Sequence, residues 1–456
     1  MNEENPQSTR PRVFLLLADR KCVIAGGLRQ EIYLRVSHSH IRKESTMSHL
    51  APRSTALVLL TGILIAVSRT FASDPVIDWN AGACSVVVAA HFNAPHGHRV
   101  IALMQTAVFA ATNAISQRYP EEVPALSPDP EASMAAAIGA ASRVVLSDMV
   151  PSQRDFVDSL YAVFLSAIPA GELKSRGIRI GEAAAKAVLA ARSNDGANAM
   201  ETYRPRTSAG TYVPTTTPAV PQWPVRTPWL MSSPSQFRPG PPPALSSPVW
   251  ARDYNEIKGL GAKNSMSRTP EQTLIARFWE TTEPSIYYGV VHCVARLPGR
   301  DITQNARLMM AVAQAIDDGM IAVFDAKYYY GFWRPVTAIR NGDIDGNEAT
   351  DRDSSWTPFI TTPMHPEYPC AHCVTSGVVG TVLKAAIGNG PTPPLTTSSP
   401  TADGVSRTWT SLEDFMQEVD EARICDGVHF RTSTIAGTAL GKRVGALSVA
   451  RYFQRK

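Results

Sequence analysis

Three short stretches between residues 327 and 433 gather the residue types that hold and work on a small anion. They read KYYYGFWRP (327–335), HPEYPCAHC (365–373) and ARICDGVHFRTS (422–433). Lys327, Arg334 and Arg423 are fixed cations, and His372 and His429 are titratable partners. Arginine presents a planar fork of donors suited to tetrahedral oxyanions, and lysine adds a compact charge. Brought to one point, the five would form a pocket for phosphate or vanadate. In the PCAH turn, Pro369 is expected to initiate a helix over residues 369–387, whose free N-terminal N–H groups would face a bound anion.

The order K-x6-R-P, P-x-x-H, R-x5-H resembles the three-part signature shared by vanadium-dependent haloperoxidases and type 2 phosphatidic acid phosphatases. The bacterial and plant haloperoxidase-like branch is the most similar. Asp78-Trp79-Asn80, the Ala-rich MQTAVFAATNAI and the Pro-rich segment from Ser233 extend the likeness over roughly residue 74 to the C-terminus. The resemblance implies that Lys327, Arg334, Arg423 and the amides of Cys370 and Ala371 cradle an oxyanion. It also implies that His372 acts as general acid or base. His429 would ligate vanadium or, in a phosphatase, attack phosphorus to form a phosphohistidine.

Vanadate is thus the implied cofactor of a haloperoxidase acting on hydrogen peroxide and halide; an acid phosphatase acting on a phosphomonoester needs none. A third reading is a non-catalytic helical binding protein that uses its Pro/Trp segment as an interaction surface. Two positions depart from the family pattern. Cys370-Ala371 stands where Ser-Gly is commoner, and a thiol is a weaker donor than a hydroxyl. Ser433 stands where many phosphatase relatives carry an Asp that could orient the ring of His429. Asp420, Asp426 or a backbone carbonyl are the alternatives for that task.

The cysteines allow other chemistry. Cys370 and Cys373 form C-A-H-C at a helix start, a redox geometry, although the βαβ setting of thioredoxin-like proteins is missing. Zinc on His365, Cys370, His372 and Cys373 is conceivable, but it would consume His372 and leave the three cations without a task. Haem attachment is excluded because Val374 follows Cys373. The acidic run at 343–351 lacks a Glu at position twelve of a calcium loop and reads as a solvated loop. Phe332 and Trp333 read as core by default, with the substrate mouth as the alternative, and Arg340 reads as an ion-pair partner.

The elements that must position these residues are helices. Helical spacing of apolar residues runs over 99–116, from 130 or 131 to 150, 153–166 and 177–192, which read as one bundle. Residues 203–249 are dense in Pro, Thr and Ser, so they must be irregular or extended. Trp223, Trp229, Phe237 and Trp250 along this tract argue for an ordered wrap rather than a disordered linker. Helical pattern resumes over 253–260, 271–280, 301–325, 412–424 and 433–453, with Lys327 just beyond the long 301–325 element. Glycines 437, 441 and 445 share nearly one face and permit close helix contact. No strand pattern stands out. The fold class is all-α: two packed four-helix-type bundles joined by a long, ordered Pro-rich connection.

The 456 residues, 44% apolar and 18% charged, can bury a large core. The net charge of +4 is misleading, because residues 1–72 carry 10 basic and 5 acidic side chains, leaving 34 against 35 in the remainder. Nothing in that balance points to nucleic acid. Arg53, an apolar run over 56–67 and small residues up to Ala72 form a signal-peptide pattern, too short for a bilayer span of about 20 residues. The expected organisation is a non-native or disordered extension (1–46), a signal peptide (47–72), an N-terminal bundle (73–200), the wrap (201–250) and a C-terminal bundle with the oxyanion site (251–456). Export to the periplasm or medium, no stable membrane span and a possible homodimer follow as expectations. Removing the leader leaves five of six cysteines, an odd number that argues against a fully paired disulfide framework.

Overall fold

Helix starts in this chain are fixed by side-chain caps. In the computed structural model, which describes residues 74–120 and 126–453, Asp74 accepts the Val76 N–H ahead of Pro75 and opens α1 (Pro75–Ala89). Asn93 likewise caps α2 (Ala94–Ser116), and Ser133 caps α3 (Met134–Met149). A single 3₁₀ turn leads into α4 (Arg154–Ser166), and α5 (Glu172–Ala191) follows. The expected leader and extension lie outside the described residues.

Two expectations change here. Helix α1 has nine buried residues, and its exposed side, Asp78, Ala81, Ser85 and Ala89, is half alanine, so the sequence shows no clear polar stripe to read. Helix α2 begins five residues earlier than its apolar pattern, which puts His96 and His98 inside the helix rather than ahead of it. Helices α3 and α5 cross closely: a Cβ at Gly177 or Gly181 would sit 2.2 Å from the carbonyl of Ser133 or Ala137.

The second set comprises α6 (Pro248–Leu260), α7 (Pro270–Phe278), α8 (Pro284–Ala295), α9 (Ile302–Tyr330), α10 (Pro335–Arg340), α11 (Ala371–Ile387), α12 (Leu412–Cys425) and α13 (Arg431–Tyr452). A capping box of Asp301 and Gln304 starts α9, and left-handed Gly331 ends it. Lys327 therefore lies in its last turn, not beyond it. Between α11 and α12 is an antiparallel hairpin, β1 (Leu395–Ser398) with β2 (Ser406–Trp409), in register from Leu395–Trp409 to Ser398–Ser406. Two four-residue strands in a Thr/Ser-rich tract are too short to show alternation. The described residues form one compact unit, and their fold is helical apart from this hairpin.

The Pro-rich segment is ordered by buried charge. Arg226 pairs with Asp317 of α9 at 2.6 Å and with Asp195 at 2.7 Å, all three buried. The neighbouring Asp318 accepts the N–H groups of Trp229, Leu230 and Met231 at 2.7–2.9 Å. Proline-rich backbone cannot build its own ladder, so α9 supplies the acceptors. A second, aromatic core holds Trp250, Tyr254, Phe332, Trp333, Trp356, Tyr368 and Phe430, which makes Phe332 and Trp333 core residues. Asp345 is buried and accepts from Trp250 Nε1 at 2.8 Å, so the 343–351 loop is partly structural rather than merely solvated. Arg340 donates to the Trp356 carbonyl instead of forming the expected ion pair.

Among the described residues no single helix is long and apolar enough to cross a membrane. Two buried histidines make stability pH-dependent. Burial pushes His98 down to about 4, and burial followed by Arg296 pushes His292, bonded to Asn80 at 2.7 Å, down to about 3. Each folded value is depressed below the ordinary 6.5. The unfolded chain therefore takes up protons first as pH falls, and the folded state loses up to about 1.4 kcal/mol per pH unit per group. Urea unfolding is expected to show falling stability from about pH 6.5 toward pH 4, with a shallower slope in His98→Phe; an unchanged slope would refute the assignment.

Candidate functional site

Five distant side chains converge where the ends of α9 and α12 meet the start of α11. Lys327 is fully buried, and its three donors reach the carbonyls of Pro366 (3.1 Å), Glu367 (2.8 Å) and Pro369 (2.5 Å). Burial and then Arg334 lower it to about 7. Arg334 occupies the residue before α10 and donates to the carbonyls of His365 (2.9 Å) and Val428 (2.8 Å). It also bonds His365 Nδ1 (2.9 Å) and His429 Nε2 (3.3 Å). Arg423, in the last turn of α12, bonds the Trp279 carbonyl and pairs with Asp426, while its buried Nε and Nη2 have no partner.

His372 is the second residue of α11, and its buried Nε2 also has no protein partner. Burial, then Arg423, holds it well below the ordinary imidazole range. His429 follows the Asp426-Gly427 turn, where Gly427 takes a φ of 79° and lies against Gly261, too close for any side chain. Burial and then Arg334 keep His429 neutral as well. Ala371, His372, His429 and His365 line a cavity of about 250 Å³ together with Glu280, Thr281, Thr282, Asn93, Met320 and Phe324.

The sequence-predicted positions are brought together, with corrections around Cys370. The Cys370 N–H donates to the Ser433 carbonyl at 3.1 Å, so it is not available to an anion. Its Sγ accepts the Cys373 N–H at 3.4 Å and lies 2.7 Å from Cys373 Sγ, turned into the helix rather than the cavity. Cys370 is the N-cap of α11 and Pro369 precedes it, so the helix starts at Ala371. That leaves Ala371, whose first-turn amide has no intrahelical acceptor, as the backbone donor at the cavity. The zinc set is not assembled: among the described residues no cluster of three metal-ligating side chains is present.

The partner of His429 was not legible. Asp426 pairs with Arg423, and Asp420 accepts from Thr438 at 2.6 Å. The group on His429 Nδ1 is instead Glu367 Oε1, at 2.8 Å. An acid between two prolines reads as a surface loop; the only signal was that a buried cluster of cations needs carboxylates. The segment 279–282 was missed too, although it meets Arg423 and His372 and lines the cavity.

The residues fit a tetrahedral oxyanion. Three buried cations face two buried carboxylates, Glu367 and Asp426, so one positive charge is left when all are ionised. Donor atoms of Arg423 remain unpaired, and an unmatched buried donor is costly.

The description "VCPO second helical-bundle domain" matches residues 307–455. A bacterial vanadium-dependent iodoperoxidase has the same fold at TM-score 0.71 and 22% identity, covering 83% of this chain and 96% of that one. Holo- and apo-type bacterial vanadium-dependent chloroperoxidases superpose at TM-scores 0.62 and 0.61 with 19% identity. They cover 80% and 78% of this chain, and 93% and 92% of their own. No curated protein matches the sequence. Residues 307–455 thus match the model of the VCPO second helical-bundle domain, and the described chain shares the helical fold of bacterial vanadium-dependent haloperoxidases.

Proposed function

We propose that this protein is an exported, vanadium-dependent haloperoxidase-like enzyme that binds vanadate and uses hydrogen peroxide to oxidise halide. The observation that carries the reading is the clustering of three buried cations around two neutral histidines, which themselves line one small cavity together with Ala371. Bound vanadate would supply the Lewis-acid centre at which peroxide is activated. Lys327, Arg334 and Arg423 neutralise the anion, the Ala371 amide donates to it, and His429 offers Nε2 as ligand. His372 Nε2, unpartnered inside the cavity, gives or takes the proton of an attacking or leaving oxygen.

One observation favours a second reading. Buried thiols of Cys370 and Cys373 stand within a turn of the site, and thiols are oxidised by hypohalous acid. An acid phosphatase on the same scaffold, with His429 as nucleophile, avoids that hazard.

The test is to purify the full chain, load it with or without orthovanadate, and assay monochlorodimedone halogenation beside p-nitrophenyl phosphate hydrolysis. Vanadate-dependent halogenation is the expected result. Vanadate-inhibited hydrolysis would establish the phosphatase instead, and neither activity together with no anion binding would leave the binding-protein reading. Cys370→Ser is expected to keep or raise whichever activity is present, because a hydroxyl donates better than a thiol. An abolished activity would point to thiol chemistry.

A further inference from the structure

We propose that Glu367 is the positioning residue of His429, holding the ring in its Nδ1–H form so that the ring's lone pair is carried on Nε2. The inference rests on the oxyanion reading of the site.

Two independent contacts dictate the same tautomer. Glu367 Oε1 lies 2.8 Å from His429 Nδ1 and also accepts the Phe430 N–H at 3.1 Å. When Glu367 is ionised its Oε1 can only accept, so the hydrogen shared with the ring belongs to Nδ1. At the other end, Arg334 Nη1 stands 3.3 Å from Nε2, and a guanidinium can only donate. Nε2 is therefore the acceptor. Glu367 is completely buried, so its orientation is set by these partners and not by water.

The loop that carries Glu367 also orders the neighbouring cations. The carbonyls of 366, 367 and 369 hold the Lys327 ammonium, and His365 offers its carbonyl and Nδ1 to Arg334. Five consecutive residues thus aim three of the site's side chains. Ser433, where phosphatase relatives carry Asp, has its Oγ 3.4 Å from His429 Nδ1, too long for a strong bond. The orienting carboxylate has moved to another segment of the chain while serving the same ring atom.

That relocation is testable by moving it back. Orthovanadate binding to the full chain is measured by calorimetry for wild type, Glu367→Ala, and Glu367→Ala with Ser433→Asp. Loss of an outer carboxylate typically weakens a metal site by about 10–100-fold. Glu367→Ala is expected to fall in that range, and the double variant to recover at least half of the loss on a logarithmic scale. A purely structural Glu367 would not be rescued from position 433. Glu367→Ala binding within about twofold of wild type, or absent rescue with both variants melting normally, would overturn the proposal. Should Glu367→Ala fail to fold, Glu367→Gln keeps the shape and removes the charge; unchanged binding there would also overturn it. Histidine nitrogen NMR reads the tautomer without any anion: Nδ1–H in wild type and a mixed ring in Glu367→Ala are expected, and an Nε2–H ring in wild type would refute the assignment. Absence of orthovanadate binding by wild type would count against the oxyanion reading, while the tautomer still decides the role of Glu367.

Discussion

His429→Ala is expected to reduce catalysis, whether halide oxidation or phosphomonoester hydrolysis, by at least about 10³-fold, equivalent to about 4 kcal/mol in kcat/KM. The reason is geometric. His429 is the ring that presents a lone pair between Arg334 and the cavity, fully buried and held from behind. Neither His365 nor His372 can take over. His365 spends Nδ1 on Arg334, and His372 enters from a different helix with its free nitrogen placed for proton transfer. Circular dichroism must show an intact fold, since removing the ring takes one hydrogen bond from the buried Glu367, which keeps that of the Phe430 N–H. Full retention of activity in a folded His429→Ala protein would refute the site.

Arg226→Met is the second large effect, and it concerns the fold. Arg226 is the only side chain bridging Asp195 and Asp317 within the buried network described here, and all three are shielded from water. Removing Arg226 takes the ion-pair partner from buried Asp317 while Asp195 keeps Arg99, and breaking a buried pair in this way costs about 3–5 kcal/mol. Methionine preserves most of the volume, so the loss reads charge rather than a cavity. The expected observation is a correspondingly lower unfolding midpoint and faster proteolysis within residues 203–249. Arg118→Met, which removes a half-exposed pair with Asp301, serves as the control and should change stability by less than about 1 kcal/mol. Equal effects of the two variants would show that the network does not anchor the wrap.

These results separate what side-chain chemistry announces from what only three dimensions reveal. Lys327, Arg334, His372, Arg423 and His429 were legible because few combinations of residue type and spacing serve an anion. The long amphipathic helices were legible by period, and Ser411 marked the start of α12 as a cap. Helices α1 and α8 were not: α8 has no exposed residue, and the exposed side of α1 includes Ala81 and Ala89, so neither shows a clear polar stripe. Glu367 was hidden because its task depends on a ring 62 positions away. The role of the Cys370 amide was misjudged because its acceptor, the Ser433 carbonyl, comes from α13.

The glycine face of α13 has a consequence for how the protein tolerates change. Any side chain at 437 would press on the Cys370 carbonyl from 2.5 Å, and one at 441 on that of Val374 from 2.1 Å. The last helix contributes no group to the cavity, yet it acts as a mould against which the backbone bearing Ala371 and His372 is cast. Drift in this last helix would therefore surface as lost alignment of the turn that carries Ala371 and His372.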